Sequence, residues 1–156
     1  MRRAGSTSGT TSRPTTGPWS GSRAPPTKSR STPSSITGYP GLDIIDLGEL
    51  SWKLGTRVRG PSWLTFLGQP VLDELNGATG LQTRLSAAGT TVQSLDDNRA
   101  VVTLGEWPEA GDMDQGDRLP AYRELARALA PWTYREEHLR GLGAEAQRRW
   151  ERRFLD

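Results

Sequence analysis

No cysteine occurs anywhere in the chain. That excludes a disulfide framework, a thiolate zinc site, an iron–sulfur cluster and a cysteine nucleophile. A single histidine, His138, excludes multi-histidine metal centres and leaves little room for a histidine-based triad. No run of 18 apolar residues is present, so no transmembrane helix is expected. The phosphate-cradling glycine motifs are missing too: no Gly-x-Gly-x-x-Gly follows a strand pattern, and no Gly-x-x-x-x-Gly-Lys-Ser/Thr occurs. The Gly-x-Ser-x-Gly nucleophile turn is also missing.

What remains is a chain of 156 residues with a formal net charge of +2, and that average hides two unlike parts. Residues 1–38 hold nine Ser, eight Thr, five Pro and five Gly, with six basic residues and no acid. Only five of the 38 are apolar. Such a composition cannot bury enough surface to offset chain entropy, so 1–38 reads as a disordered Ser/Thr/Pro/Arg-rich tail. Residues 39–156 carry 14 basic and 18 acidic residues, and 47 of these 118 positions are apolar. The basic tail therefore masks an acidic folded part.

A basic tail suits nucleic acid or a membrane surface, and its Arg- and Ser-rich, acid-free composition also suits an organelle transit segment. A secretory signal fails, because no apolar stretch follows Arg2 and Arg3. A solvated extension without function needs no further assumption, since Trp19 is the tail's one aromatic residue and there is no amphipathic period.

The folded part reads as a mixture of strands and helices. Leu42 to Leu54 is ambiguous between strand and short helix. Trp63 to Leu67 is a short aromatic and aliphatic run bounded by Gly68, which suits a buried strand. Pro70 sits at a plausible first helical position, with Val71, Leu72 and Leu75 behind it and Gly77 as a stop. Thr90–Leu95 and Arg99–Leu104 are rich in Thr and Val, and Asp96-Asp97-Asn98 between them marks a hairpin. Its second strand can run on to Trp107, where Pro108 stops it. The best helix starts at Pro120, with Tyr122, Leu125, Ala126 and Leu129 on one stripe and Glu124 and Arg127 as an i, i+3 pair. A last helix covers about 144–155, with Ala146, Trp150 and Phe154 at four-residue steps.

Few of these residues carry chemistry. Asp96 and Asp97 form an acidic pair, but adjacent residues on a hairpin turn are ordinarily solvated. Asp112-x-Asp114-x-x-Asp117 places three carboxylates close together without the bidentate acid of an EF-hand, so the segment reads as a solvated loop or a contact loop for a basic partner. His138 reads as a surface histidine. Of Trp52, Trp63, Trp107, Trp132 and Trp150, most suit a core, and one or two exposed near the acidic loop would serve as interface anchors. Arg148, Arg149, Arg152 and Arg153 give the last helix a basic end, which its dipole favours.

The blocks YPGLDIIDLGELSWKLGTRVRGPSWLTFLGQPVLDEL (39–75), RAVVTLGEWPEAGD (99–112), LPAYRELARALAPWTYRE (119–136) and RRWERRFLD (148–156) together resemble the C-terminal half of a bacterial family. It is the type VI secretion immunity family associated with VRR-type nuclease effectors. The resemblance implies an α+β fold, no catalysis, no cofactor, and binding that blocks a toxin nuclease. Family members are usually about twice this length, so the resemblance makes 39–156 an incomplete domain, the second half of a longer one.

The expectation is thus an α+β domain over 39–156, with a small mixed sheet, a β-hairpin and packed helices, preceded by the tail 1–38. The expected function is a cytoplasmic immunity protein, not an enzyme, that occludes a nuclease toxin. Its contact loop would carry Glu106, Trp107, Glu109, Asp112, Asp114 and Asp117, with Gly105, Gly111 and Gly116 leaving the backbone free to adapt. No metal site, membrane or nucleic-acid partner is expected. Two rivals come from other classes: a nucleic-acid-associated protein using the basic tail, and a hydrolase using the acidic loop.

Overall fold

The computed structural model describes residues 38–44, 47–137, 139 and 141–156, all within the unit Ser31–Asp156. The expected tail, apart from Gly38, and His138 lie outside the described residues. Helix α1 spans Leu47–Lys53, strand β1 Leu64–Leu67, helix α2 Val71–Glu74 and helix α3 Gly77–Gln82. Strands β2 (Thr90–Asp96) and β3 (Arg99–Leu104) follow, then α4 (Pro120–Leu129), a 3-10 turn (Ala130–Trp132) and α5 (Ala144–Arg152). The fold is α+β, in the order that the sequence patterns indicate.

The three strands form an antiparallel sheet in the order β1-β3-β2. Leu64 pairs with Thr103, Phe66 with Val101, Thr91 with Thr103 and Gln93 with Val101. Side chains alternate between the two faces of a strand. Thr65, Leu67, Ala100, Val102 and Leu104 therefore turn inward and are buried, whereas Leu64 and Phe66 are exposed. The Trp63–Leu67 run is thus half-buried and not a fully buried strand. Leu67 lies in the core at 2 % exposure. The Trp63 indole lies partly buried against the core and donates to the Gly105 carbonyl at 3.2 Å. The β3 ladder ends at Leu104, because Gly105 turns the chain at φ 77.

Helix α4 places the whole stripe Tyr122, Leu125, Ala126 and Leu129 in the core. Full burial of each Leu contributes about 1.5–3 kcal/mol. Pro120 at the first helical turn lacks an amide that would otherwise need a partner. Leu75 and Leu81 close the same core from the α2–α3 corner. Gly77 does not end that segment: Asn76 turns the chain at φ 62 and Gly77 begins α3. On the far side, Val58 forms a parallel bridge with Thr133. From α5, Trp150 is buried, and Phe154 just beyond it stacks on Tyr122 at 5.7 Å between centroids.

Candidate functional site

The segment after β3 runs from Gly105 to Arg118 without helix or strand, yet its backbone is fixed at several points. The Gly41 amide donates to the Ala110 carbonyl at 2.7 Å, and the Met113 amide donates to the Gly38 carbonyl at 3.0 Å. The Tyr39-Pro40-Gly41 turn is therefore the floor of the loop. Gly111 is buried against it with φ 69, beside the Leu119 side chain and Pro40. Leu119 is 1 % exposed and holds a left-handed backbone conformation, φ 46, at the start of α4. Such a conformation costs a leucine about 1–3 kcal/mol, and burial of the side chain offsets it.

The acids of this loop fall into two groups. Asp112 is an internal cap: its Oδ1 accepts from the Asp114 and Gln115 amides at 3.0 and 3.3 Å, and its Oδ2 accepts from Gln115 Nε2 at 2.9 Å. Asp117 accepts from the Leu119 amide at 3.3 Å, and its own amide donates to the Asp112 carbonyl at 2.9 Å. Short Asp side chains commonly accept from nearby backbone amides in this way. Among the described residues, the carboxylates of Glu106, Glu109 and Asp114 take no part in a hydrogen bond or ion pair, and all three residues are exposed. Trp107 stands among them at 70 % exposure. A backbone tethered from below thus presents an indole ring and three uncommitted negative charges.

The six residues expected to make contacts therefore share one loop but not one role. The spacing does not distinguish a capping Asp from a free one; an Asp two residues before an amide-rich turn is the available signal, and it applies to Asp112 and Asp117. Gly111 and Gly116, expected to leave the backbone adaptable, instead serve turns at φ 69 and φ 78. Among the described residues no group of three or more His, Cys, Asp or Glu could hold a metal ion. No helix among them is long and apolar enough to cross a membrane.

The other tryptophans divide between core and surface. Trp150 is buried, Trp63 and Trp132 pack partly buried against the core, and Trp52 on α1 is 90 % exposed. The basic end of α5 is largely neutralised. Arg148 and Arg149 pair with Glu145 at 3.0 and 3.2 Å, and Arg152 pairs with Asp156 at 2.6 Å. Arg153 turns inward over the Trp150 ring, 3.7 Å from its centroid, and donates from Nε to the Pro40 carbonyl at 2.9 Å. It thereby ties α5 to the floor of the acidic loop. Burial lowers its guanidinium from the ordinary arginine range to about 10, with Asp43 opposing that shift.

The fold has a solved counterpart. The Pseudomonas aeruginosa T6SS protein PA0821 superposes with a TM-score of 0.60 at 23% sequence identity. The match covers 78% of this chain and 38% of that one, so this chain spans well under half the length of its structural counterpart. No curated protein matches the sequence. The profile of one family, described as Type VI immunity for VRR-NUC, matches residues 24–154, beginning upstream of the Tyr39 boundary drawn from composition. That match takes in most of the chain, both sheet and helices, and the chain belongs to this family of type VI immunity proteins.

Proposed function

We propose that this immunity protein acts in the cytoplasm by binding a cognate VRR-type nuclease effector and occluding its DNA-binding groove, with no catalytic role of its own. The binding domain is 39–156, and the loop from Glu106 to Asp117 forms part of the interface. A nuclease must attract phosphate and so presents a basic groove. The observation that carries the reading is the exposed Trp107 ring set among the uncommitted carboxylates of Glu106, Glu109 and Asp114. Interface anchors are enriched in tryptophan, and carboxylates around one steer a basic partner toward it. Residues 39–156 are net acidic, 18 acids against 14 bases, so the same field repels free DNA.

Occlusion predicts competition. Titrating the purified protein into a reaction of its cognate nuclease on duplex DNA should abolish cleavage at one equivalent, and excess DNA should slow formation of the complex. Tight binding that leaves cleavage untouched would refute occlusion. Absence of binding would refute the pairing itself.

A further inference from the structure

The two edges of the sheet are finished differently. The Gly105 amide donates to the Gly89 carbonyl at 3.1 Å, and the Leu104 amide donates to the Trp63 carbonyl at 2.9 Å. Backbone groups of successive residues in an antiparallel strand point to alternate sides. With the observed register, Gly89, Thr91 and Gln93 therefore bond to β3 on one side, and Trp63, Thr65 and Leu67 bond to it on the other. The outward amides of β2 include those of Thr90 and Val92, and both are capped within the chain. Thr90 donates to the Ala87 carbonyl at 3.2 Å, and Val92 donates to Gln82 Oε1 at 2.8 Å. A register shift between Ser94 and Asp96, with the Asp96 charge, closes off the end of that edge. Irregularities and charges of this kind protect edge strands from pairing.

The β1 edge has none of these devices. Its outward backbone groups are those of Leu64 and Phe66, and among the described residues nothing bonds to them. The same two residues carry the exposed side chains of the strand, while Thr65 and Leu67 are buried. No charge occurs from Pro61 to Pro70. Leu64 and Phe66 thus supply both an open hydrogen-bonding edge and an apolar outer face.

We propose that this edge pairs with a second copy of itself: two β1 strands run antiparallel about a two-fold axis at Thr65, so that Leu64 of each chain faces Phe66 of the other. The register is self-complementary. Leu64 and Phe66 stand symmetrically about Thr65, so each pair exchanges both N–H···O bonds and no outward group of the two residues is left over. On the outer face the two leucines and two phenylalanines form one cluster, with Val101 beside each Phe66. Two net-acidic domains repel one another elsewhere, and the uncharged 61–70 stretch is where they can approach. Because the β2 edges are capped, the assembly closes at two copies. Four-residue strands bury less than the about 1,200 Å² of stable interfaces, so the dimer is weak, with a Kd on the order of 100 µM. The pairing stands whether or not the Glu106–Asp117 loop meets a nuclease.

Sedimentation equilibrium of the full chain, from about tenfold below to about tenfold above that Kd, is the first measurement. The expected result is a reversible monomer–dimer equilibrium. Phe66→Lys and Leu64→Lys should each weaken dimerisation at least about tenfold, with little change in melting temperature. Cross-linking reads the register, since the chain has no cysteine. An oxidised mixture of Leu64→Cys and Phe66→Cys should form a disulfide between copies, because directly paired residues stand about 5.5 Å apart at Cα. Either variant alone should cross-link far less, because its own counterpart lies on the diagonal at about 7–8 Å. A wild type that stays monomeric throughout the range overturns the proposal. So does association that both lysine variants retain, growth beyond the dimer, or cross-linking as strong in the single variants as in the mixture. If the wild type is monomeric and Phe66→Lys weakens the complex with the cognate nuclease, the edge belongs to a strand of that partner and the second copy is excluded.

Discussion

The Glu124 carboxylate clamps Ser86, 38 residues earlier in the chain. Its Oε2 accepts from the Ser86 amide at 2.7 Å, and its Oε1 accepts from the Ser86 hydroxyl at 2.7 Å. The Ala87 amide adds a third bond at 2.9 Å. One side chain on α4 thereby satisfies the corner that leads from α3 into β2. The Ser86 hydroxyl bond, then the Ala87 and Ser86 amides, hold the carboxyl below its usual value of 4.5.

A group whose folded pKa is depressed stabilises the fold fully above its unfolded pKa, and that contribution is lost as pH falls through the folded pKa. Glu124→Gln should therefore cost about 1–2 kcal/mol at neutral pH, since an amide cannot accept all three bonds. The difference from wild type should vanish in acid, where both side chains are uncharged. Thermal unfolding across a pH series measures it. A constant offset at every pH would assign the cost to packing and not to the carboxylate.

Two neighbours on β1 provide a sharper packing test. Leu67 is 2 % exposed and Phe66 is 68 % exposed, because alternate residues of the strand face opposite sides. Leu67→Ala should cost about 2–4 kcal/mol, while Phe66→Ser should cost under about 1 kcal/mol. Beside Phe66 lie exposed Leu64, on the same edge strand, which has neither proline nor charge, and partly exposed Val101 on the neighbouring central strand β3. Such an edge invites association. The wild type should accordingly bind a hydrophobic dye or self-associate, and Phe66→Ser should reduce either signal. Equal destabilisation by both substitutions would mean that the outer face is covered.

The floor of the acidic loop depends on close backbone approach. At Gly111, φ is 69, and a Cβ would stand 2.9 Å from Leu119 Cδ1 and 3.2 Å from Pro40 Cγ. Gly111→Ala should cost about 1–3 kcal/mol through strain and overpacking. Its signature is local: hydrogen exchange at the Gly41 and Met113 amides, which bond across this seam, should accelerate more than exchange in β3. Uniform acceleration would show that the loop and core open as one unit.

The local elements were legible because their signals are short-range. Pro120 and the Tyr122–Leu129 stripe mark α4, and Asp96-Asp97-Asn98 marks the β2–β3 turn, without knowledge of any partner element. The Trp63–Leu67 run shows its strand character equally well, but which residues it buries depends on where the helices lie. Long-range polar contacts leave no periodic trace. Glu124 looks like half of an i, i+3 pair with Arg127, whose charge does act on it, but its hydrogen bonds go to the Ser86–Ala87 corner, with Ser86 38 positions away. Arg153 looks like one of four cations at the basic end of the last helix, and in the fold it stacks on Trp150 and grips Pro40, 113 positions away. At the candidate site the cluster of acids is plain in the sequence. The division between the capping residues, Asp112 and Asp117, and the uncommitted ones is set by the folded loop.

That division determines which substitutions can probe the proposed nuclease interface. Replacing Asp112 or Asp117 removes bonds that shape the loop, so a binding defect there would conflate fold and contact. Glu106, Glu109 and Asp114 are free of that ambiguity. Their joint reversal to Lys should leave the melting temperature within a few degrees, since uncoupled surface changes cost about 0.5 kcal/mol or less. Association with a basic nuclease should slow about tenfold at low salt, and the difference should shrink as ionic strength rises and the Debye length falls. Trp107→Ala should act on the other rate. Loss of a desolvated anchor of about 2 kcal/mol raises the dissociation rate about thirtyfold while leaving association nearly unchanged. Surface-binding kinetics on the purified pair, at two or more salt concentrations, resolve both effects. If the triple reversal leaves association unchanged and Trp107→Ala leaves dissociation unchanged, the loop is not the interface. Occlusion would then have to use another exposed anchor, of which Trp52 on α1, at 90 % exposure, is the first to test.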